Sequence, residues 1–312
     1  IDTTLRGGHQ SLWATRMKTA HMVPVAPLID QAGFKSVELM GTVHFDACLR
    51  YLREDPWERI RLLNAALPHT PLGALIRSKS LTSFNIVPDS VISLWVKRCA
   101  ANGIKRLMIF DALHDWSNLA ISVAAAKAEG IEVSVPLVYS LSPVHTDEFY
   151  GQKTVEMIAS LDPDTVMIKD SIGLLTPERV RTLVPAIKRH IGDRSLEMHS
   201  HCTTGLGPLC CLESVKLGVD TLYTCVSPLA NGPSHPSVEN MTMNLRRLGF
   251  ATPIDQSAVE GITDHFLYVA RREGMAVGAP AEYDAFQYVH QVPGGMITNL
   301  KFMLSQRNMG HR

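Results

Sequence analysis

The chain carries no surplus charge of either sign. Its 30 Lys and Arg offset 30 Asp and Glu over 312 residues. Without a net field there is no long-range attraction to a polyanion, which argues against nucleic acid or an anionic membrane surface as the partner. No apolar run reaches the roughly 18 residues of a bilayer-spanning helix, and mean hydropathy is only +0.05. Disulfide architecture is missing too. The six cysteines include no CxxC pair and no regular framework, and adjacent Cys210 and Cys211 make a poor disulfide. Free thiols of this kind fit a reducing cytosol, so a cytoplasmic location is expected. No stretch has the character of a signal or transit peptide. The first residue is Ile, directly on strand-like sequence, so a longer natural N-terminus is expected. Low-complexity tracts and Gly/Ser linkers are absent as well.

What is present is globular. Hydrophobic residues make up 46% and charged residues 19%, far from the composition of disorder. A short apolar run, a polar turn and a stretch of helical period recur along the chain. The strand candidates are Ile1–Arg6, Ser36–Met40, Leu72–Arg77, Arg106–Asp111, Val133–Tyr139, Thr165–Lys169, Leu196–His201 and Thr221–Val226. The helix candidates are Val23–Ala32, Pro56–Ala66, Asp89–Ala101, Asn118–Glu129, Thr146–Ser160, Pro177–His190 and Pro208–Leu217. Strands rich in Val, Ile, Leu and Met alternating with helices imply a parallel sheet covered by helices. Eight such strands close a TIM-type (β/α)8 barrel. The rival is an open doubly wound sheet, but no GxGxxG follows the first strand. Polar residues also gather at many strand ends: Arg6, Glu38, Arg77, Asp111, Lys169, His199 and His201. A barrel brings such ends to one mouth. Residues 1–233 are thus expected to form the barrel, and 234–312 a C-terminal helical extension.

The sharpest local signal is Met198-His199-Ser200-His201. On a strand, positions i and i+2 face the same way, so two imidazoles can share one metal. The alternative is a pair of hydrogen-bonded core histidines. Lys169 ends an apolar strand, where an unpaired ammonium is costly. It must pair with Asp170 or another acid, shift its pKa, or be modified. A neutral buried amine can take up carbon dioxide and become a carbamate, an oxygen ligand.

Several stretches then fall into one order. They are Asp2–Arg6 with His9–Met17, Glu54–Arg59, Phe110–Leu113, Ser142–Thr146, Ile168–Asp170, His199–His201 and Pro293–Met296. In this order they resemble the biotin-dependent carboxyltransferases. That group includes the α subunit of oxaloacetate decarboxylase, the carboxyltransferase domain of pyruvate carboxylase and the matching subunit of transcarboxylase. It lies within a wider set of metal-dependent barrels that includes isopropylmalate synthase and hydroxymethylglutaryl-CoA lyase. The resemblance implies a divalent metal (Zn, Co or Mn) held by His199, His201 and a carbamylated Lys169. It implies Arg77 as the arginine that holds a small 2-oxo acid, with Arg6 and Gln10 flanking substrate and metal. Asp46 matches an acid near the carboxybiotin end of the pocket, with a helix N-cap as its alternative. Phe84 stands where the family has a cofactor-side Tyr. Function is then metal-dependent carboxyl transfer or decarboxylation on an oxaloacetate- or pyruvate-type acid, through an enolate. Biotin would arrive from another chain, a biotin carrier protein or a biotin carboxylase subunit, or on sequence missing here, because no carrier-type Met-Lys-Met is present. A homodimer is the expected assembly.

The pattern breaks in places. The family motif Arg-Asp-x-x-Gln carries a ligating Asp where this chain has Gly7. Asp2 lies roughly 16 Å away along an extended strand and cannot replace it. His9 is the nearest alternative ligand, although the family carries a non-ligating His there. His114 replaces Asn, and Cys202 replaces Asp beside the second metal His; a buried inert thiol is the simpler reading of Cys202. These changes keep two further functions open: a biotin-independent lyase or aldolase on the same barrel, and a non-catalytic scaffold subunit.

Overall fold

The computed structural model describes residues 1–82 and 85–309, so Phe84 lies outside the described residues. Among the described residues, seven strands lie side by side in chain order, every neighbouring pair parallel. They are β1 (Val37–Gly41), β2 (Leu72–Arg77), β3 (Ile104–Phe110), β4 (Glu132–Val138), β5 (Thr165–Asp170), β6 (Ser195–Ser200) and β7 (Thr221–Leu222). Asp2 forms parallel bridges to both Val37 and Thr224. The opening segment thereby closes the ring between the first and last strands, as the eighth stave of a barrel.

Two expected strands are shorter than the sequence suggests. In Ile1–Arg6, strand-type bridging is confined to Asp2, and a π-helical turn follows at Thr4–Gly8. The Asp2 carboxylate accepts from Thr4 Oγ1 at 2.6 Å and from the Thr4 amide at 3.2 Å. Such a local side-chain bond competes with the extended ladder and turns the chain. The last expected strand, Thr221–Val226, keeps regular pairing only at Thr221–Leu222, with bridges at Thr224 and Cys225.

The helices begin where their caps stand. Asp55 accepts from the Trp57 amide ahead of Pro56–Ala66, Thr146 from Phe149 ahead of Asp147–Leu161, and Thr176 from Arg179 ahead of Pro177–Lys188. Each cap satisfies a donor the helix itself leaves unpaired. The expected helix Val23–Ala32 divides into a 3-10 turn at Val23–Val25 and an α-helix at Ala26–Gln31. Pro24 and Pro27 stand at the first turn of each piece, where a missing N–H costs nothing. A short helix at Thr42–Ala47 and a π-helical turn at Cys48–Leu52 follow β1.

Strand alternation builds two cores. Val166 and Ile168 of β5 and Leu196 and Met198 of β6 join the large outer core beneath the helices. Their neighbours face the barrel interior, where Ile1, Leu75, Met108, Met167 and Tyr223 pack together. A buried polar layer lies at the N-terminal end of this plug. There Arg106 donates to Glu197 at 2.5 Å, and Tyr223 donates to the same carboxylate at 3.1 Å. Beyond residue 234, the helix Gln256–Glu273 adds Val259, Ile262 and Phe266 to the outer core. Among the described residues, no helix is long and apolar enough to cross a membrane.

Candidate active site

A cavity of about 380 Å³ opens at the C-terminal ends of the strands. Arg77, Phe110, Val138, Lys169 and His199, one from each of β2 to β6, line its wall. Each is the last inward-facing position before its strand turns into a loop, which is why a period of two brings them together. Arg6, Gly7 and Gln10 come from the opening turns, and Gln291, Pro293 and Met296 from the C-terminal segment.

Lys169 and His199 are direct neighbours across the β5–β6 ladder. Lys169 Nζ lies 2.9 Å from His199 Nε2, and both side chains are buried. The alternative partner, Asp170, faces away and accepts the amides of Gly173, Leu174 and Leu175 at 2.8–3.0 Å, shaping the loop after β5. Burial, followed by the charge of Arg6, pushes Lys169 well below the ordinary lysine range. The site thus favours the neutral amine.

His201 lies one residue past β6 and keeps the inward direction, its ring centroid 5.4 Å from that of His199. Its Nδ1 donates to the Pro233 carbonyl at 2.6 Å; because a carbonyl only accepts, the Nε2 lone pair is left free. Burial pushes His201 down to about 3, and His199 well below its usual value. Both are therefore neutral imidazoles at physiological pH.

A third imidazole stands with them. His235, fully buried, places its ring centroid 4.3 Å from those of both His199 and His201. One ring nitrogen from each of the three lies within 4.8 Å of the others. Sequence reasoning missed it. His235 sits between Ser234 and Pro236 in an irregular segment just past the expected end of the barrel, and no periodicity points it inward.

Arg6 is buried and clamped by Glu38 of β1, its Nε donating at 2.5 Å. Half-buried Arg77 presents its guanidinium at the end of β2, and Gln10 lines the same cavity. Asp46 is not brought to this wall. On the helix Thr42–Ala47, it pairs with Arg50 at 2.7 Å. His9 also points elsewhere. Its Nε2 bonds the Leu5 carbonyl at 2.9 Å and its Nδ1 accepts the Met17 amide at 3.4 Å, so neither nitrogen is left for a metal. His114 accepts the Val138 amide through Nε2 at 2.9 Å and braces a loop. The Cys202 thiol is buried, and burial raises its pKa well above the usual value, as expected of an inert thiol.

Comparison with known proteins agrees with this architecture. The model of the HMGL-like family matches residues 111–265. The chain is 39% identical over 308 residues to a pyruvate carboxylase subunit from Methanocaldococcus jannaschii, covering 98% of this chain and 54% of that protein. It is 34% identical over 304 residues to the methylmalonyl-CoA carboxyltransferase 5S subunit of Propionibacterium freudenreichii subsp. shermanii, covering 97% and 60%. The carboxyl transferase domain of Rhizobium etli pyruvate carboxylase, solved with pyruvate and biocytin, superposes with a TM-score of 0.91 at 28% identity, over 100% of this chain and 54% of that one. The chain thus spans little more than half the length of these relatives. Barrel, strand-end cavity and likenesses agree: over residues 111–265 the chain is similar to the HMGL-like family, and along nearly its whole length it is similar to carboxyltransferase subunits and domains.

Proposed function

We propose that this chain carries out carboxyl transfer to or from a small 2-oxo acid of the pyruvate or oxaloacetate type, with biotin delivered by a carrier protein. The observation that carries the reading is one strand-end cavity lined by Lys169, His199, His201, Arg6 and Arg77. The relatives named above act as carboxylases or carboxyltransferases, and one solved relative holds pyruvate and biocytin.

The residues fit a divalent metal. Buried His199 turns Nε2 toward Lys169 Nζ at 2.9 Å, His201 is held in the tautomer that leaves Nε2 open, and neutral Lys169 can add carbon dioxide, releasing a proton and gaining a carboxylate. Lys169, His199 and His201 would hold the ion, which when bound supplies Lewis acidity to a keto oxygen. Arg77 would bind the substrate carboxylate, since its planar fork meets two oxygens at once. Glu38 fixes the direction of the Arg6 guanidinium. Arg6 and Gln10 would donate to the oxygen on which charge grows as carboxylate departs. Apolar Phe110 and Val138 on the cavity wall would lower the local polarity around these donors. The six cysteines are buried free thiols, which supports a reducing, cytoplasmic setting.

The test is decarboxylation of oxaloacetate and carboxylation of pyruvate by the full-length protein, with and without a biotinylated carrier. Turnover should require the carrier and be blocked by avidin. Arg77→Ala should lower kcat/KM about 10- to 100-fold, the loss of a charge-assisted contact of roughly 1.5–3 kcal/mol. Avidin-insensitive turnover without a carrier would instead mark a biotin-independent lyase or aldolase.

A further inference from the structure

We propose that His235 is a third imidazole ligand of the metal centre, seated in the space that Gly7 leaves open. The inference rests on the reading of Lys169, His199 and His201 as metal ligands.

Three independent features of His235 point the same way. The first is its unused nitrogen. Nδ1 donates to the Ser200 carbonyl at 3.1 Å, which leaves the lone pair on Nε2. That atom is buried and has no hydrogen-bond partner. A buried acceptor left unsatisfied is costly, on the order of 1–3 kcal/mol, and a metal ion would satisfy it. Ligating histidines are commonly oriented in this way, through a ring N–H given to a backbone carbonyl. His201 shows the same arrangement toward Pro233.

The second feature is position. One nitrogen each from His199, His201 and His235 falls within 4.8 Å of the others, close enough for a single ion.

The third is the relation to Gly7. A Cβ at Gly7 would stand 2.7 Å from His235 Nε2 and 3.1 Å from its Cδ2. No side chain can occupy position 7 while the ring stays where it is. The side-chain space of Gly7 is therefore taken by an imidazole from the opposite end of the barrel sequence.

The segment is tied down before any ion arrives. The Asn231 amide bonds the His235 carbonyl at 2.7 Å, Cys202 N bonds the Ser234 carbonyl at 2.8 Å, and Cys225 N bonds the Pro236 carbonyl at 3.0 Å. The backbone on each side of the ring is thus fixed, as a preorganised ligand requires. The same loop supplies the Pro233 carbonyl that orients His201.

A chemical consequence follows. Three neutral imidazoles make a nitrogen-rich donor set. Such a set suits zinc or cobalt better than magnesium or manganese, which prefer oxygen.

The test uses metal-free full-length protein titrated with cobalt(II) and with zinc in competition with a chromophoric chelator. The variants are His199→Ala, His235→Gln and the exchange Gly7→Asp/His235→Gln. Wild type should bind one equivalent, and His235→Gln should bind at least tenfold more weakly with a changed visible cobalt spectrum. The exchange variant, with a carboxylate placed on the vacated side, should regain affinity relative to His235→Gln. X-ray absorption of cobalt-loaded wild type needs no variant and should count three imidazoles. Wild-type affinity and spectrum in His235→Gln, with metal lost in His199→Ala, would overturn the role of His235 and leave the metal site standing. Two imidazoles in the absorption fit would do the same. A wild type that takes up no metal would overturn both readings.

Discussion

His114 holds a left-handed backbone at φ 57° and accepts the Val138 amide through Nε2. Burial pushes its pKa from 6.5 down to about 4. The unfolded chain therefore takes up this proton first as the pH falls. The stability linked to neutral His114 is complete above about pH 6.5 and drains away toward pH 4. Asn tolerates the same backbone and does not titrate. Between pH 7 and pH 4, wild type should lose roughly 3 kcal/mol relative to His114→Asn, measured by urea unfolding at each pH. A difference that stays constant with pH would contradict this. Elsewhere in the barrel, Glu197 neutralises fully buried Arg106 and also meets Lys35 at 3.1 Å. Glu197→Gln leaves a buried guanidinium undercompensated, since Glu132 remains its other partner. The urea midpoint should fall by an amount equivalent to about 3 kcal/mol; an unchanged midpoint would contradict the buried pair. At this scale His199, His201 and Lys169 were legible, because strand period alone decides which way they face. His235 was not, because only the closed barrel brings it beside Gly7.

Elements were legible where a local rule governs them. The expected helix starts at Pro56 and Pro177 are reproduced, each behind a capping side chain, Asp55 and Thr176. Gly103 ends the helix Asp89–Asn102 in a left-handed conformation at φ 110°. A Cβ there would meet Asn64 Cγ at 2.3 Å. Gly103→Ala should therefore cost more than the ~1 kcal/mol that Ala gains in reduced unfolded-state entropy, lowering the midpoint of thermal unfolding. An unchanged or raised midpoint would contradict the strain. The opening strand was misjudged because apolar and β-branched character cannot reveal that Asp2 bonds Thr4 and turns the chain early. The helix Thr42–Ala47 also went unseen. It is short, and it carries Asp46 toward Arg50, away from the cavity wall.

As a whole molecule, the barrel closes where Asp2 bridges β1 and the segment after β7, flanked by hydrogen bonds of Ile1 and Thr3 to Thr224. Closure makes one mouth from strand ends that are far apart in sequence, and function follows from what gathers there. The architecture was legible from strand–helix alternation taken with the polar residues at the strand ends. The full composition of the mouth was not, since the C-terminal segment and the loop of His235 reach it only through tertiary packing. The proposed chemistry turns on a cation held at Lys169, His199 and His201. Its most direct test is the metal content of full-length protein after equilibration with zinc and removal of unbound ion. Wild type should retain one zinc per chain and the His199→Ala/His201→Ala double variant none; equal metal in the two, or none in either, would contradict it.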